Sequence, residues 1–174
     1  MSRIESCFNA IKKNNKKALI PFLTAGDPSP NITASLMHEL VLAGSDIIEL
    51  GVPFSDPMAD GPVIQRASER ALAQNTNTDD VFNIVADFRT KDKTTPVILM
   101  GYSNPIEIMG YSKFTKKASN VGVDGLIVVD LPPEESSDLQ EALTLYDIDQ
   151  IFLLSPTTID KRLKMICEAA SGFL

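Results

Sequence analysis

Long apolar runs, clustered cations, cysteine and histidine are what this sequence has least of. In its 174 residues no apolar stretch reaches the roughly 18 residues that cross a bilayer. An acid, Glu5, stands where a secretory leader builds its apolar segment. Membrane insertion and export are therefore not expected, and the chain is placed in the cytoplasm. Its two cysteines, Cys7 and Cys167, are far apart, form no CxxC and have no companion ligand cluster. They are expected to be free thiols, with no metal site. Sixteen Lys+Arg against 23 Asp+Glu give a net charge of −7, which argues against a nucleic-acid surface because phosphate contacts need clustered cations. The one basic cluster, Lys12-Lys13-Asn14-Asn15-Lys16-Lys17, ends a predicted first helix, where cations complement the helix dipole. The single histidine, His38, falls inside another predicted helix and reads as structural. No GxGxxG follows the first apolar segment, so a dinucleotide site lacks support. No lysine stands in a context that argues for a Schiff base.

What is present is a regular alternation. Hydrophobic residues make up 44% of the chain, enough for one domain with a sizeable core. Apolar strand-like segments recur at 18–24, 46–50, 96–101, 124–130 and 148–154, each followed by helical periodicity. Helices are predicted at 2–14, 31–43, 63–74, 78–91, 105–119, 133–145 and 159–170, with Asn104-Pro105 and Pro132-Pro133 as helix starts. Near-continuous runs such as Leu126-Ile127-Val128-Val129 suit parallel strands covered on both faces. A doubly wound sheet and a (β/α)8 barrel share this local pattern. Polar or glycine-rich residues nevertheless follow every strand, which favours the C-terminal face of a parallel (β/α)8 TIM-type barrel. Gly172-Phe173-Leu174 reads as the opening of a sixth strand. The expectation is a single barrel domain over 1–174, containing the first five to six βα units after an N-terminal helix and incomplete at its C-terminus.

The chemistry concentrates after the second strand, in Ile48-Glu49-Leu50-Gly51-Val52-Pro53-Phe54-Ser55-Asp56-Pro57-Met58-Ala59-Asp60-Gly61-Pro62. Glycine and proline end the strand and stiffen the loop. Glu49 closes a buried strand, where loss of water raises a carboxyl pKa and lets the group exchange protons near neutral pH. Asp60, on a solvated loop, stays ionised and is able to accept a hydrogen bond from a substrate N–H. Two carboxylates in unlike environments divide acid and base roles. A structural salt bridge for Glu49, and a helix-capping or ion-pair role for Asp60, fit the spacing equally well.

This segment closely resembles the signature of the tryptophan synthase alpha subunit family. The resemblance extends through Pro21-Phe22-Leu23-Thr24-Ala25-Gly26-Asp27-Pro28, Leu99-Met100-Gly101-Tyr102-Ser103-Asn104-Pro105 and Asp124-Gly125-Leu126-Ile127-Val128-Val129-Asp130-Leu131-Pro132, in that order. It implies a carbon–carbon lyase in the last steps of L-tryptophan biosynthesis. Such an enzyme cleaves indole-3-glycerol phosphate reversibly to indole and glyceraldehyde 3-phosphate by a retro-aldol reaction, without metal or organic cofactor. Glu49 and Asp60 match the family's catalytic carboxylates. Phe22, Met100, Tyr102, Ile127 and Val129 would wall the indole ring, each with a plain core role as the alternative. Pro53 and Asp56 would face a pyridoxal phosphate-dependent beta subunit in an alpha2-beta2 assembly, the cofactor belonging to that partner; Asp56 fits a turn role equally. Asp27 and Asp130 are candidates to orient loops or cap helices. The family's mobile lid and phosphate-binding loops follow its sixth to eighth strands and lie outside these residues, so the 174 residues by themselves are expected to be close to inactive. The competing readings are a non-catalytic partner-binding subunit and an inactive fragment of such a barrel.

Overall fold

The computed structural model describes residues 2–174. Strands β1 (Phe22–Thr24), β2 (Ile48–Gly51), β3 (Val97–Gly101), β4 (Gly125–Val128) and β5 (Asp149–Ile151) form one parallel sheet in sequential order. Helix α1 (Arg3–Lys13) precedes the sheet. The others are α2 (Pro30–Leu42), α3 (Pro62–Ala73), α4 (Thr78–Lys91), α5 (Ser103–Met109), α6 (Tyr111–Val121), α7 (Ser137–Thr144) and α8 (Asp160–Ala169).

Strand order separates the two architectures that periodicity leaves open. A doubly wound sheet reverses direction at a switch point and carries helices on both faces. Here every crossover advances to the next strand, and residues of α2, α4, α5, α6 and α7 pack on one face against Ile48, Leu50, Val97, Leu99, Leu126 and Val128. The opposite face carries Ile47, Ile98, Ile127 and Ile151, with Ile4 of α1 packed into them. Period-two alternation has thus sorted each strand between a helix-covered outer face and an inner face, as in an arc of a (β/α)8 barrel.

Several boundaries differ from the sequence expectation. The strands are only three to five residues long. At the start of the first apolar run, the Leu19 N–H goes to the Asp46 carboxylate (2.8 Å) instead of a backbone carbonyl. The helix expected at 105–119 is two helices separated by Gly110, whose φ of +83° suits a residue without Cβ. Helix α5 begins at Ser103, and Pro105 sits in its first turn, where its missing N–H leaves no gap in the helix. The segment 133–145 opens as a 3₁₀ turn at Pro133–Glu135 before α7. Gly172-Phe173-Leu174 forms no strand; Phe173 stacks on Phe8 of α1, ring centroids 5.5 Å apart. Cys7 and Cys167 are free, and His38 packs its ring on Phe88 at 4.7 Å. No helix among the described residues is long and apolar enough to cross a membrane.

At the N-terminal end of the strands, the buried Asp124 carboxylate accepts from Arg3 (2.7 Å), Arg89 (2.7 Å) and the Val97 N–H (2.8 Å). Arg89 also donates to the carbonyls of Thr95 (2.7 Å) and Gly122 (3.0 Å). This network ties α1 and α4 to β3 and β4 at the end opposite the carboxylate loop.

Candidate active site

Backbone register explains which side chains meet. Phe22, Glu49 and Ile98 share one row across β1, β2 and β3; Thr24, Gly51, Met100 and Ile127 share the next row toward the C-terminal ends. Ile98 and Ile127 lie in the inner cluster, so both rows face inward. Glu49 therefore lies on the inner face, between Ile48 and Leu50, which point toward the helices.

Glu49 is half-buried, and that burial pushes its carboxyl pKa above the ordinary glutamate value. Among the described residues its carboxylate forms no ion pair and no side-chain hydrogen bond. The salt-bridge reading of Glu49 thus finds no partner. A proton-exchanging carboxyl needs this environment, partly dry and uncompensated by a cation; Glu49 itself is not among the residues that line the cleft beside Asp60.

Asp60 is held by its neighbours. The Tyr102 hydroxyl donates to Asp60 Oδ2 (3.1 Å) and accepts from the Ala59 N–H (2.9 Å). Gln65 Nε2 donates to the Asp60 carbonyl (2.8 Å), and the Asp60 N–H closes a turn onto the Pro57 carbonyl (3.0 Å). Helix α3 is preceded by Gly61 and has no side-chain cap, so Asp60 does not serve as one. Tyr102 is buried beneath this loop, its ring 5.2 Å from that of Phe54. Burial raises the Tyr102 phenol pKa, the Ala59 N–H offsets part of that, and the Asp60 carboxylate adds to the rise.

A small cleft at the C-terminal ends of the strands is lined by Phe22, Thr24, Asp60, Met100, Tyr102 and Val129 among others. Five of the residues singled out in the sequence thus converge. Ile127 does not line the cleft, although it shares a row with Met100; it is buried in the isoleucine cluster. Tyr102 grips the loop as well as walling the cleft. Pro53 is buried within the chain, while Asp56 is exposed, accepts from its neighbour Ser55 Oγ (2.5 Å) and stands beside Met58, which is 83% exposed. The exposed apex of the loop is therefore Ser55, Asp56 and Met58.

Sequence reading takes Gly51 as a strand breaker and Thr24 as a polar residue after a strand, and gives neither a place in the site; both are the last residues of their strands. A Cβ on Gly51 would overlap the tip of the Phe22 ring, so glycine is what lets that ring lie over β2. Thr24 lines the cleft with a buried Oγ1 that has no hydrogen-bond partner. Both stand two residues beyond a residue already identified, Phe22 or Glu49, and strand alternation was the available signal. Among the described residues no group of three or more His, Cys, Asp or Glu is placed to hold a metal ion.

Comparison with known proteins gives a consistent answer. Residues 8–174 match the family model described as tryptophan synthase alpha chain. The tryptophan synthase alpha chain of Thioalkalivibrio sulfidiphilus is 59% identical over 174 residues, covering 100% of this chain and 65% of that protein. The crystal structure of tryptophan synthase subunit alpha from Legionella pneumophila superimposes with a TM-score of 0.97 at 51% identity, over 100% of this chain and 68% of that one. A structure of the tryptophan synthase a2b2 complex from Pyrococcus furiosus matches with a TM-score of 0.85 at 42% identity, over 88% of this chain and 65% of that one. The chain spans 65% of the length of the Thioalkalivibrio protein.

Proposed function

The chain belongs to the tryptophan synthase alpha chain family, and on that premise we propose that it supplies the acid–base half of a retro-aldol site. The substrate is indole-3-glycerol phosphate, and the products are indole and glyceraldehyde 3-phosphate. The observation that carries this reading is two carboxylates in unlike surroundings, one on strand β2 and one on the loop that leaves it: Glu49, half-buried without a cation on the inner face, and Asp60, fixed at the cleft by Tyr102.

Protonation of the indole carbon bearing the side chain places positive charge on the ring nitrogen. Glu49 delivers that proton, and Asp60, accepting the indole N–H, stabilises the charge as it builds. The carbon–carbon bond then breaks, its electrons neutralising the indoleninium. The proton of the adjacent hydroxyl, which becomes the aldehyde, passes to Glu49 and restores the acid. A carboxyl whose pKa is raised toward the working pH suits both transfers. Phe22, Met100, Tyr102 and Val129 wall the ring. No cofactor enters this sequence.

In the same reading the exposed apex at Asp56 and Met58 meets a pyridoxal phosphate-dependent beta subunit that consumes the indole, in an alpha2-beta2 assembly in the cytoplasm. Pro53, buried behind that apex, stiffens the loop from within.

The test is indole release from indole-3-glycerol phosphate by the natural protein that carries this chain, alone and with the beta subunit. Glu49→Gln and Asp60→Asn are each expected to lower kcat by about 10²-fold or more, the usual scale for a general acid–base group and for a group that stabilises developing charge, respectively, with smaller changes in KM. Indole release indifferent to both substitutions would overturn the proposal.

A further inference from the structure

Tyr102 is the side chain that holds the Asp60 carboxylate, and it stands immediately before α5. That helix has no side-chain cap from Tyr102 itself. Its first residue, Ser103, is instead gripped from the neighbouring strand: Asp130, two residues beyond β4, accepts the Ser103 N–H on Oδ1 (2.8 Å) and the Ser103 hydroxyl on Oδ2 (2.9 Å). One carboxylate thereby occupies both donors of a single residue 27 positions earlier in the chain. The connection runs from the end of β4 to the start of α5, through one peptide link to Tyr102, and through the phenol to Asp60 Oδ2 and the Ala59 N–H.

We propose that Asp130 is a positioning residue: by anchoring Ser103 it fixes the Tyr102 hydroxyl beneath the carboxylate loop and so sets where Asp60 stands. Three considerations carry this. Asp130 is exposed and forms no ion pair among the described residues, so its two bonds to Ser103 are the polar work it does. Charge-assisted bonds are stronger than neutral ones, and two of them on one residue fix orientation as well as distance. Tyr102 immediately precedes the gripped residue, so a turn of the backbone at Ser103 reaches the phenol oxygen over the lever arm of a whole side chain. Positioning errors of about 1 Å at a reacting centre cost on the order of 10²-fold in rate. A partial loosening through one exposed anchor is expected to cost roughly tenfold.

The catalytic half of the test rests on the reading of Asp60 given above; the spectroscopic half does not. These 174 residues hold no tryptophan and three tyrosines, and subtracting the ultraviolet titration curve of Tyr102→Phe from that of the parent isolates Tyr102 whatever other chromophores the natural protein carries. In Asp130→Ala, Tyr102 is expected to ionise at lower pH than in the parent, because a phenol released from its buried place moves toward its ordinary value. Asp130→Asn should titrate like the parent, since an amide can accept the Ser103 N–H and donate to its hydroxyl. An unchanged Tyr102 titration in Asp130→Ala overturns the proposal.

In the natural protein, kcat for indole release is expected to fall roughly tenfold in Asp130→Ala, less in Ser103→Ala, and to recover in Asp130→Asn. Asp130→Ala added to Tyr102→Phe should lower kcat no further, because both changes cut the same connection. Additive losses, or no rescue by asparagine, would mean that Asp130 supports only the fold locally and would overturn the proposal. A parent protein that releases no indole would count against the proposed reaction, while the titration would still decide whether Asp130 holds Tyr102.

Discussion

The ring of Phe22 lies over Gly51 on the neighbouring strand, in space that a single added methyl group would claim. Gly51→Ala should therefore push the ring out of the cleft it shares with Asp60 and Met100. The expected outcome is a loss of roughly 1–3 kcal/mol in unfolding free energy from overpacking, with indole binding weakened about tenfold by calorimetric titration. Parent-like stability and affinity together would show that the ring has another place to go.

Glu49 makes a prediction about stability as well as rate. Its folded-state pKa is raised, so the folded protein holds its proton at pH values where the unfolded chain has released it. Stability from this group is present at low pH and is lost as pH rises through the raised value. Glu49→Gln should consequently be more stable than the parent at neutral pH, and the gain should vanish below about pH 4, where the unfolded glutamate is itself protonated. Denaturant titrations across that range measure the difference, and a gain that persists at acid pH would contradict a desolvated carboxyl.

Thr24 offers a subtler measurement. Its buried hydroxyl has no partner, which costs stability that a methyl group of the same shape would not. Thr24→Val is expected to stabilise the protein by about 1 kcal/mol. A comparable loss would reveal that the hydroxyl has a bonding partner in solution.

At the far end of the strands, Asp124 receives two arginines and a backbone N–H. Asp124→Ala strands the buried Arg89 guanidinium and should cost about 3–5 kcal/mol, read as a lowered denaturation midpoint. Because the network lies opposite the cleft, kcat of the folded fraction should be unchanged.

The amino-acid sequence made the alternation of strand and helix legible, because buried parallel strands are apolar almost throughout. It also marked Glu49 and Asp60, since glycine and proline bracket them. The order of the strands was not legible from periodicity, which is the same whether a crossover advances or turns back; the polar and glycine-rich residues after every strand favoured the barrel, and the pairing, which always advances, agrees with it. Gly110 was visible as a glycine inside a helical run, yet periodicity continues across it, so the break between α5 and α6 went unread. The bond between Tyr102 and Asp60 spans 42 residues and depends on how a loop folds back over the next strand. No spacing rule encodes it. Gly51 and Thr24 were within reach, because each follows an identified inward residue by one strand period.

Sequential pairing of β1 through β5 also describes an order of assembly. Each strand lies against the one made just before it, so a strand leaving the ribosome meets a partner already present and need not wait for a distant segment. Each pairing must still span its helical crossover, from 24 positions between Gly125 and Asp149 to 49 between Ile48 and Val97, and such separations slow the folding of parallel sheets. Growth one βα unit at a time exposes the newest strand's outer edge until the next strand arrives, while the outer edge of β1 stays unpaired among the described residues.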